Sequence, residues 1–391
     1  MKKRLNNIDF LKIIFNLGII YGHVLQHFLI PQFKEYEILY KYTSYAFGYM
    51  CEFLFIISGF FLFKDLNKNS CREFIIKKVT RFWPILAFSI VVSYILSRFS
   101  LASWTDINVI PELLFLNATV VYNLPTVTGV AWYVSALFWS SIFYYTISKL
   151  FKEKFIYIVY LITFFLYLIL FNKVNLYDQP TILNSVISFF MIRGLAGVGL
   201  GILFAYNVKP EINTKINFKS FLIGLVEITI LFLIILYLSI IKIAYAFPIG
   251  LSLFIILFYL FIRSYGMFSI ILNSDKIIIP FLSKNIYAIY IMQFIVFGIL
   301  NKILYKNPYY GVYMFPIFNI IISIILCFVV GIISQFIVDK IIYYINLIKT
   351  RPDQTRPDQT RPINICIDYT YFYHNLKYKK IQPMWQYYIA A

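Results

Sequence analysis

Phe155–Phe171 reads FIYIVYLITFFLYLILF, a run without a single charge, with Lys149, Lys152 and Lys154 just before it. About 20 such residues, wound as a helix, cross the ~30 Å of hydrocarbon in a bilayer. Further out the same texture recurs at Ile8–Ile30, Ser44–Phe63, Phe82–Phe99 and Val130–Leu150. It returns at Ile182–Tyr206, Phe218–Ile240, Ala244–Ile262, Ile286–Leu304 and Val312–Ile345. The pattern predicts an all-α polytopic transmembrane helix bundle of about ten spanning helices. The last run is long enough to tilt or to leave the bilayer.

Composition agrees. The 391 residues are 61% hydrophobic and 13% charged, with a mean hydropathy of +0.77. Soluble domains carry about 25% charged residues, so roughly half the usual solvating groups are missing. Lipid solvates such a surface directly. The 20% aromatic content suits lipid-facing walls and interfacial belts.

The formal charge of +18 is explained by where the charges sit. With the N-terminus cytoplasmic, the inner segments hold 18 Lys and Arg and the outer segments seven, as the positive-inside rule expects. Nucleic-acid binding is thereby disfavoured. Asp9 and Lys12 interrupt what would be the apolar region of a signal peptide, so the first helix is expected to be retained. Cys51, Cys71, Cys327 and Cys366 are scattered, which indicates neither a disulfide framework nor a metal site.

Ionisable groups inside a spanning helix are costly and usually face a partner or an internal cavity. The first helix carries Asp9, Lys12, His23 and His27. Lys12 and His23 share a face, about 16 Å apart along the axis, and His27 lies on the same side. Glu52 on the second helix falls near the depth of His23, where a carboxylate can orient an imidazole. Arg193 and Glu227 fall at similar depths on consecutive helices and suggest a buried ion pair. The loop FKDLNKNSCREFIIKKVTRFWP sets Lys77, Lys78 and Arg81 before the third helix. Such a cluster can hold phosphates, or simply serve topology and anionic lipid. The glycines of RGLAGVGLG (Arg193 to Gly201) read as a close-packing helix face rather than a nucleotide loop.

Together these stretches resemble acyltransferase family 3, integral membrane proteins that acylate cell-surface glycans. IDFLKIIFNLGIIYGH resembles the family's first helix, with Lys12 and His23 at its basic and histidine positions. FLFIISGFFLF (Phe53 to Phe63) is similar to the FF-x-x-SGF signature and contains Ser58. KKVTRFWP resembles the R-x-x-R…P element through Lys78, Arg81 and Pro84. AWYVSAL (Ala131 to Leu137) looks like the W-Y/F-x-S-A-L helix through Trp132 and Tyr133, and LSKNIYAIYIMQ (Leu282 to Gln293) resembles the late S-x-x-x-Y-x-x-Y element. Lys replaces Arg twice, which loses the planar fork. Gln293 stands where many members carry a histidine.

The resemblance implies acyl-CoA, commonly acetyl-CoA, as a cytoplasmic co-substrate and no metal. It implies a hydroxyl of an extracytoplasmic polysaccharide or lipid-linked glycan as acceptor, in the bacterial cytoplasmic membrane. On that basis His23 and Glu52 are expected to be catalytic, with His23 a base or an acyl carrier and Glu52 tuning it. Lys12, Lys78 and Arg81 are expected to bind donor, and Ser58, Trp132 and Tyr133 to bind substrate. A secondary transporter and a non-catalytic subunit of polysaccharide export are the competing readings.

Residues 1–349 read as the membrane domain. Residues 350–362 then carry the repeat TRPDQTRPDQTRP, an exposed linker, and 363–391 form a Tyr-rich tail expected to be disordered. A five-base DNA unit read in triplets, AGA-CCA-GAC-CAG-ACC, encodes Arg-Pro-Asp-Gln-Thr. The repeat therefore fits a slippage-prone tract and phase variation, as well as an ordinary peptide repeat.

Overall fold

The computed structural model describes residues 4–30, 34–43, 46–66, 68, 70–99, 109–119, 127–171, 188–211, 213–240, 246–305 and 316–350. The RPDQT repeat beyond Thr350, the Tyr-rich tail, Lys2 and Lys3 lie outside the described residues, as do the expected span starts Ser44, Ile182, Ala244 and Val312. The chain divides into two compact units, Met1–Tyr343 and Tyr344–Ala391. Everything below concerns the first.

All the regular secondary structure of the described residues is helical. In order they form α1 (Asn6–His23), α2 (Glu35–Thr43), α3 (Met50–Phe63), α4 (Cys71–Ser97), α5 (Val109–Leu113), α6 (Ala131–Phe151) and α7 (Phe155–Phe171). There follow α8 (Phe189–Asn207), α9 (Phe218–Ile240), α10 (Ala246–Arg263), α11 (Met267–Ser274), α12 (Ile278–Tyr305) and α13 (Pro316–Thr350). Among the described residues, seven stretches are long and apolar enough to cross a membrane, or up to nine if two bent pairs each count as one span. The expected number, about ten, divides Ala131–Phe171 into two where this count has one stretch of 41 residues. That stretch breaks at Lys152, which takes φ +40°. A Cβ on Gly199 of α8 would meet both Thr163 of α7 and Tyr144 of α6. In a straight helix those two residues would stand roughly 28 Å apart, so the chain doubles back between them.

Close approach explains the central packing. A Cβ on Gly201 would meet the Ile56 carbonyl oxygen, and one on Gly59 the Val198 carbonyl oxygen. The glycines of RGLAGVGLG thus let α8 lie backbone to backbone against α3. Phe15, Phe53, Phe254 and Phe258 fill the space between α1, α3 and α10, with Phe53 and Phe254 stacked at 4.5 Å.

Two devices set the start of α1. Asn7 donates from Nδ2 to the Phe261 carbonyl at 2.6 Å and from its backbone N–H to Asn273 Oδ1 at 3.0 Å. Phe261 lies in the last turn of α10 and Asn273 in the last turn of α11, which bends 58° from α10. Glu227, buried on α9, caps α11 by accepting from the Gly266 and Ser269 backbone N–H groups at 3.2 and 2.9 Å. A carboxylate there satisfies donors that a helix start leaves free. This corrects the expected Arg193–Glu227 pair: Arg193 binds Glu52 instead. Depth alone could not separate the two carboxylates. At α4, Ser70 and Glu73 form a reciprocal capping box, which fixes where the basic helix begins.

Candidate functional site

A cavity of about 560 Å³ opens at the end of the bundle where α1 begins. Its mouth carries Arg4, Lys12, Lys64, Lys78, Arg81 and Lys284 against Asp9 and Asp65. Asp9 is shared by Arg4 Nε at 2.6 Å and Lys12 Nζ at 2.8 Å. Lys284 reaches Asp339 at 2.9 Å. Lys78 and Arg81 make no ion pair among the described residues and rest beside the rings of Phe74 and Phe82. Lys64 lies over Phe60, and burial, then the nearby Lys68, pull its pKa below the ordinary lysine value. The mouth is therefore cationic, with part of its charge uncommitted.

Further in, the walls change. Leu54, Leu137 and Ile286 supply apolar surface, while Asn16, Ser58, Tyr133 and Tyr290 supply polar groups. Ser58 is a hydrogen-bonding neighbour of Tyr133. The floor is aromatic, with Tyr133 and Tyr290 meeting edge to face at 5.4 Å.

The sequence-derived residues separate at this floor. Lys12, Lys78, Arg81, Ser58 and Tyr133 line the cavity; His23, Glu52 and Trp132 do not. His23 lies seven residues beyond Asn16 on α1, roughly 10 Å further along the axis. It is half-buried, at the point where α1 widens into the π-helical turn Val24–Leu29. Such turns often mark functional positions. Its ring packs on Phe294 at 5.4 Å and on His27, itself exposed, at 5.5 Å.

The partner of His23 is also different from the expected one. Its Nδ1 is 3.0 Å from Gln293 Oε1, while Gln293 Nε2 donates to the Tyr290 carbonyl at 2.8 Å. Both Glu52 oxygens are taken by Arg193, through Nε and through an Nη at 2.9 Å. The same guanidinium donates to the Gly48 carbonyl at 2.9 Å and lies 5.0 Å from the Trp132 ring. Glu52 and Trp132 thus hold Arg193 in the bundle interior, away from both the imidazole and the cavity.

Residues 5–337 match the family described as "Acyltransferase domain", acyltransferase family 3. The chain belongs to that family. Nothing among curated proteins or solved structures matches it. The match spans the first eleven helices, α12 and most of α13, so cavity and imidazole both belong to the acyltransferase domain. Family membership supports acyl transfer in general. Among the described residues no group of three or more His, Cys, Asp or Glu is placed to hold a metal ion.

Three residues around the cavity and the imidazole were not singled out by their charge or spacing in the sequence. Asn16 shares the face of Lys12 and His23, a stripe that neutral polar residues would have extended. Gln293 was read as a lost histidine rather than as a partner. Glu112, buried on α5, accepts from the Val127 and Thr128 backbone N–H groups at 2.6 and 3.1 Å and from the Thr128 hydroxyl. Burial raises its pKa above the usual carboxylate value. The loop it holds includes Gly129 at φ +73°, where a Cβ would strike the Phe294 ring. Only a glycine allows both that conformation and that contact, so the loop backs the ring on which His23 rests.

Proposed function

We propose that this chain moves an acyl group, acetyl in the simplest case, from cytoplasmic acyl-CoA to a hydroxyl of an extracytoplasmic polysaccharide or lipid-linked glycan. The mouth of the cavity would face the cytoplasm of a bacterium and His27 the opposite side, in keeping with the inner segments being the more basic. The observation that carries this reading is the charge of the cavity: six cations against two carboxylates at its mouth. A phosphate-rich donor fits that imbalance. Acyl-CoA also has a long, largely uncharged arm, which suits the apolar interior with its few polar groups.

The chemistry assigned to His23 is that of a general base. The acceptor hydroxyl oxygen attacks the thioester carbonyl, and its proton goes to His23 Nε2. The C–S bond breaks, and the thiolate takes that proton to leave as CoA-SH, so ester and thiol are the products. Gln293 sets the tautomer: because its Nε2 is spent on Tyr290, its Oε1 accepts from His23 Nδ1–H and leaves Nε2 unprotonated. Gln293→Met, which keeps the volume and removes the acceptor, is expected to lower kcat about 10- to 100-fold with KM for donor unchanged. Gln293→Glu, which keeps an acceptor, should retain most of kcat. Steady-state assays in proteoliposomes decide this; equal loss in both variants would mean a packing role.

Donor binding tests the function as a whole. Calorimetry on protein in nanodiscs should give acetyl-CoA binding that weakens about tenfold or more in Lys78→Ala/Arg81→Ala, with a steep salt dependence. Wild-type protein that binds no acyl-CoA overturns the reading, and substrate flux without acyl-CoA turnover would then assign transport.

A further inference from the structure

The interior wall of the cavity holds a side-chain amide that the chemistry above does not use. Asn16 is 4% exposed, and its Oδ1 is buried with no hydrogen-bond partner. Asn16 also lines the cavity. Among the described residues it alone combines the two properties. Buried amide oxygens almost always accept a hydrogen bond, so an unsatisfied one on a residue that lines a cavity points to a donor that arrives with a ligand, met by a small turn of the amide.

Its position defines what that ligand offers. Asn16 stands four residues, about 6 Å, further in than Lys12 on the same helix face. The cations are at the mouth, so the group that reaches Asn16 need not be charged. Leu54, Leu137, Ser58 and Tyr133 line the same cavity. A carboxamide accepts through Oδ1 and donates through Nδ2. A secondary amide, with one N–H and one C=O, complements both functions at once.

We propose that Asn16 binds a secondary amide in the arm of the acyl donor, the stretch between its phosphates and its thioester. This assignment rests on the donor reading above. It makes Asn16 the residue that fixes how far the arm enters, and it favours donors with an amide-bearing arm over simple acyl phosphates.

Two ligands test it on the full chain in nanodiscs. CoA carries the arm, whereas adenosine 3′,5′-bisphosphate has phosphates and no arm. Asn16→Leu and Asn16→Ala are expected to weaken CoA binding about tenfold and to leave the bisphosphate within about twofold, which also shows that the variants are folded. Unchanged CoA affinity overturns the assignment, as does an equal loss for both ligands. Wild-type protein that binds neither ligand overturns the donor reading itself, and the assignment with it.

Discussion

His23→Ala protein is expected to lose acyl transfer by about 10²- to 10⁴-fold, the range a positioned general base contributes, while binding acetyl-CoA within about twofold of wild type. The two halves of this result come from one geometric fact. His23 stands outside the cavity, beyond the Tyr133–Tyr290 floor, so removing its ring takes nothing from the donor site. Calorimetry measures the binding, and mass spectrometry of the surface glycan measures the transfer through loss of the acetyl mass from each modified sugar. A variant that still acetylates its glycan at the wild-type level would remove His23 from the chemistry. A variant that loses donor affinity as well would place the imidazole in the donor site, against the geometry. On the proposed chemistry, transfer also requires the cavity to open toward His23, because the imidazole does not line it. Tyr290 is the hinge of that requirement: its side chain faces the cavity, and its carbonyl holds the Gln293 amide that orients His23.

The fold was legible because lipid imposes a simple demand. Long uncharged runs leave the chain few options, and most expected spans overlie a helix. The cavity mouth was legible from charge: Lys12 is an ionisable group within a spanning run, Lys78 and Arg81 belong to a basic cluster just before one, and the structure gathers them around one opening. Pairing was not legible. Glu52, Glu227, Arg193 and His23 all lie on spanning helices at depths the sequence could rank, but which of them meet depends on rotation about the helix axes and on which helices are neighbours. The close packing of α3 on α8, permitted by Gly59 and Gly201, brings Glu52 to Arg193. The bend between α10 and α11 takes Glu227 for a cap. Neutral groups were harder still, since Asn16 and Gln293 carry no charge to draw notice. Their roles come from one unsatisfied oxygen and one pair of hydrogen bonds.

Arg193→Met is expected to destabilise the bundle by about 3–5 kcal/mol, the cost of leaving a buried carboxylate without its partner. Glu52 has no exposed surface and, among the described residues, Arg193 is the side chain that hydrogen-bonds it; Arg193 is 2% exposed. Glu52→Leu should be nearly as costly, because a guanidinium in the bundle interior would lose its carboxylate while the Gly48 carbonyl and the Trp132 face, which it keeps, carry no charge to balance it. The double variant Glu52→Leu/Arg193→Met should recover much of the loss, since an apolar pair removes both desolvation costs together. Unfolding in detergent, followed by helical signal against denaturant, gives the three values and their coupling. The same cycle separates structure from chemistry for Glu52. If Glu52 serves only to hold Arg193 between α3 and α8, the double variant regains acyl transfer along with stability. A double variant that is stable yet inactive would return Glu52 or Arg193 to the reaction, acting across the Trp132–Tyr133 step of α6 that joins the ion pair to the cavity floor.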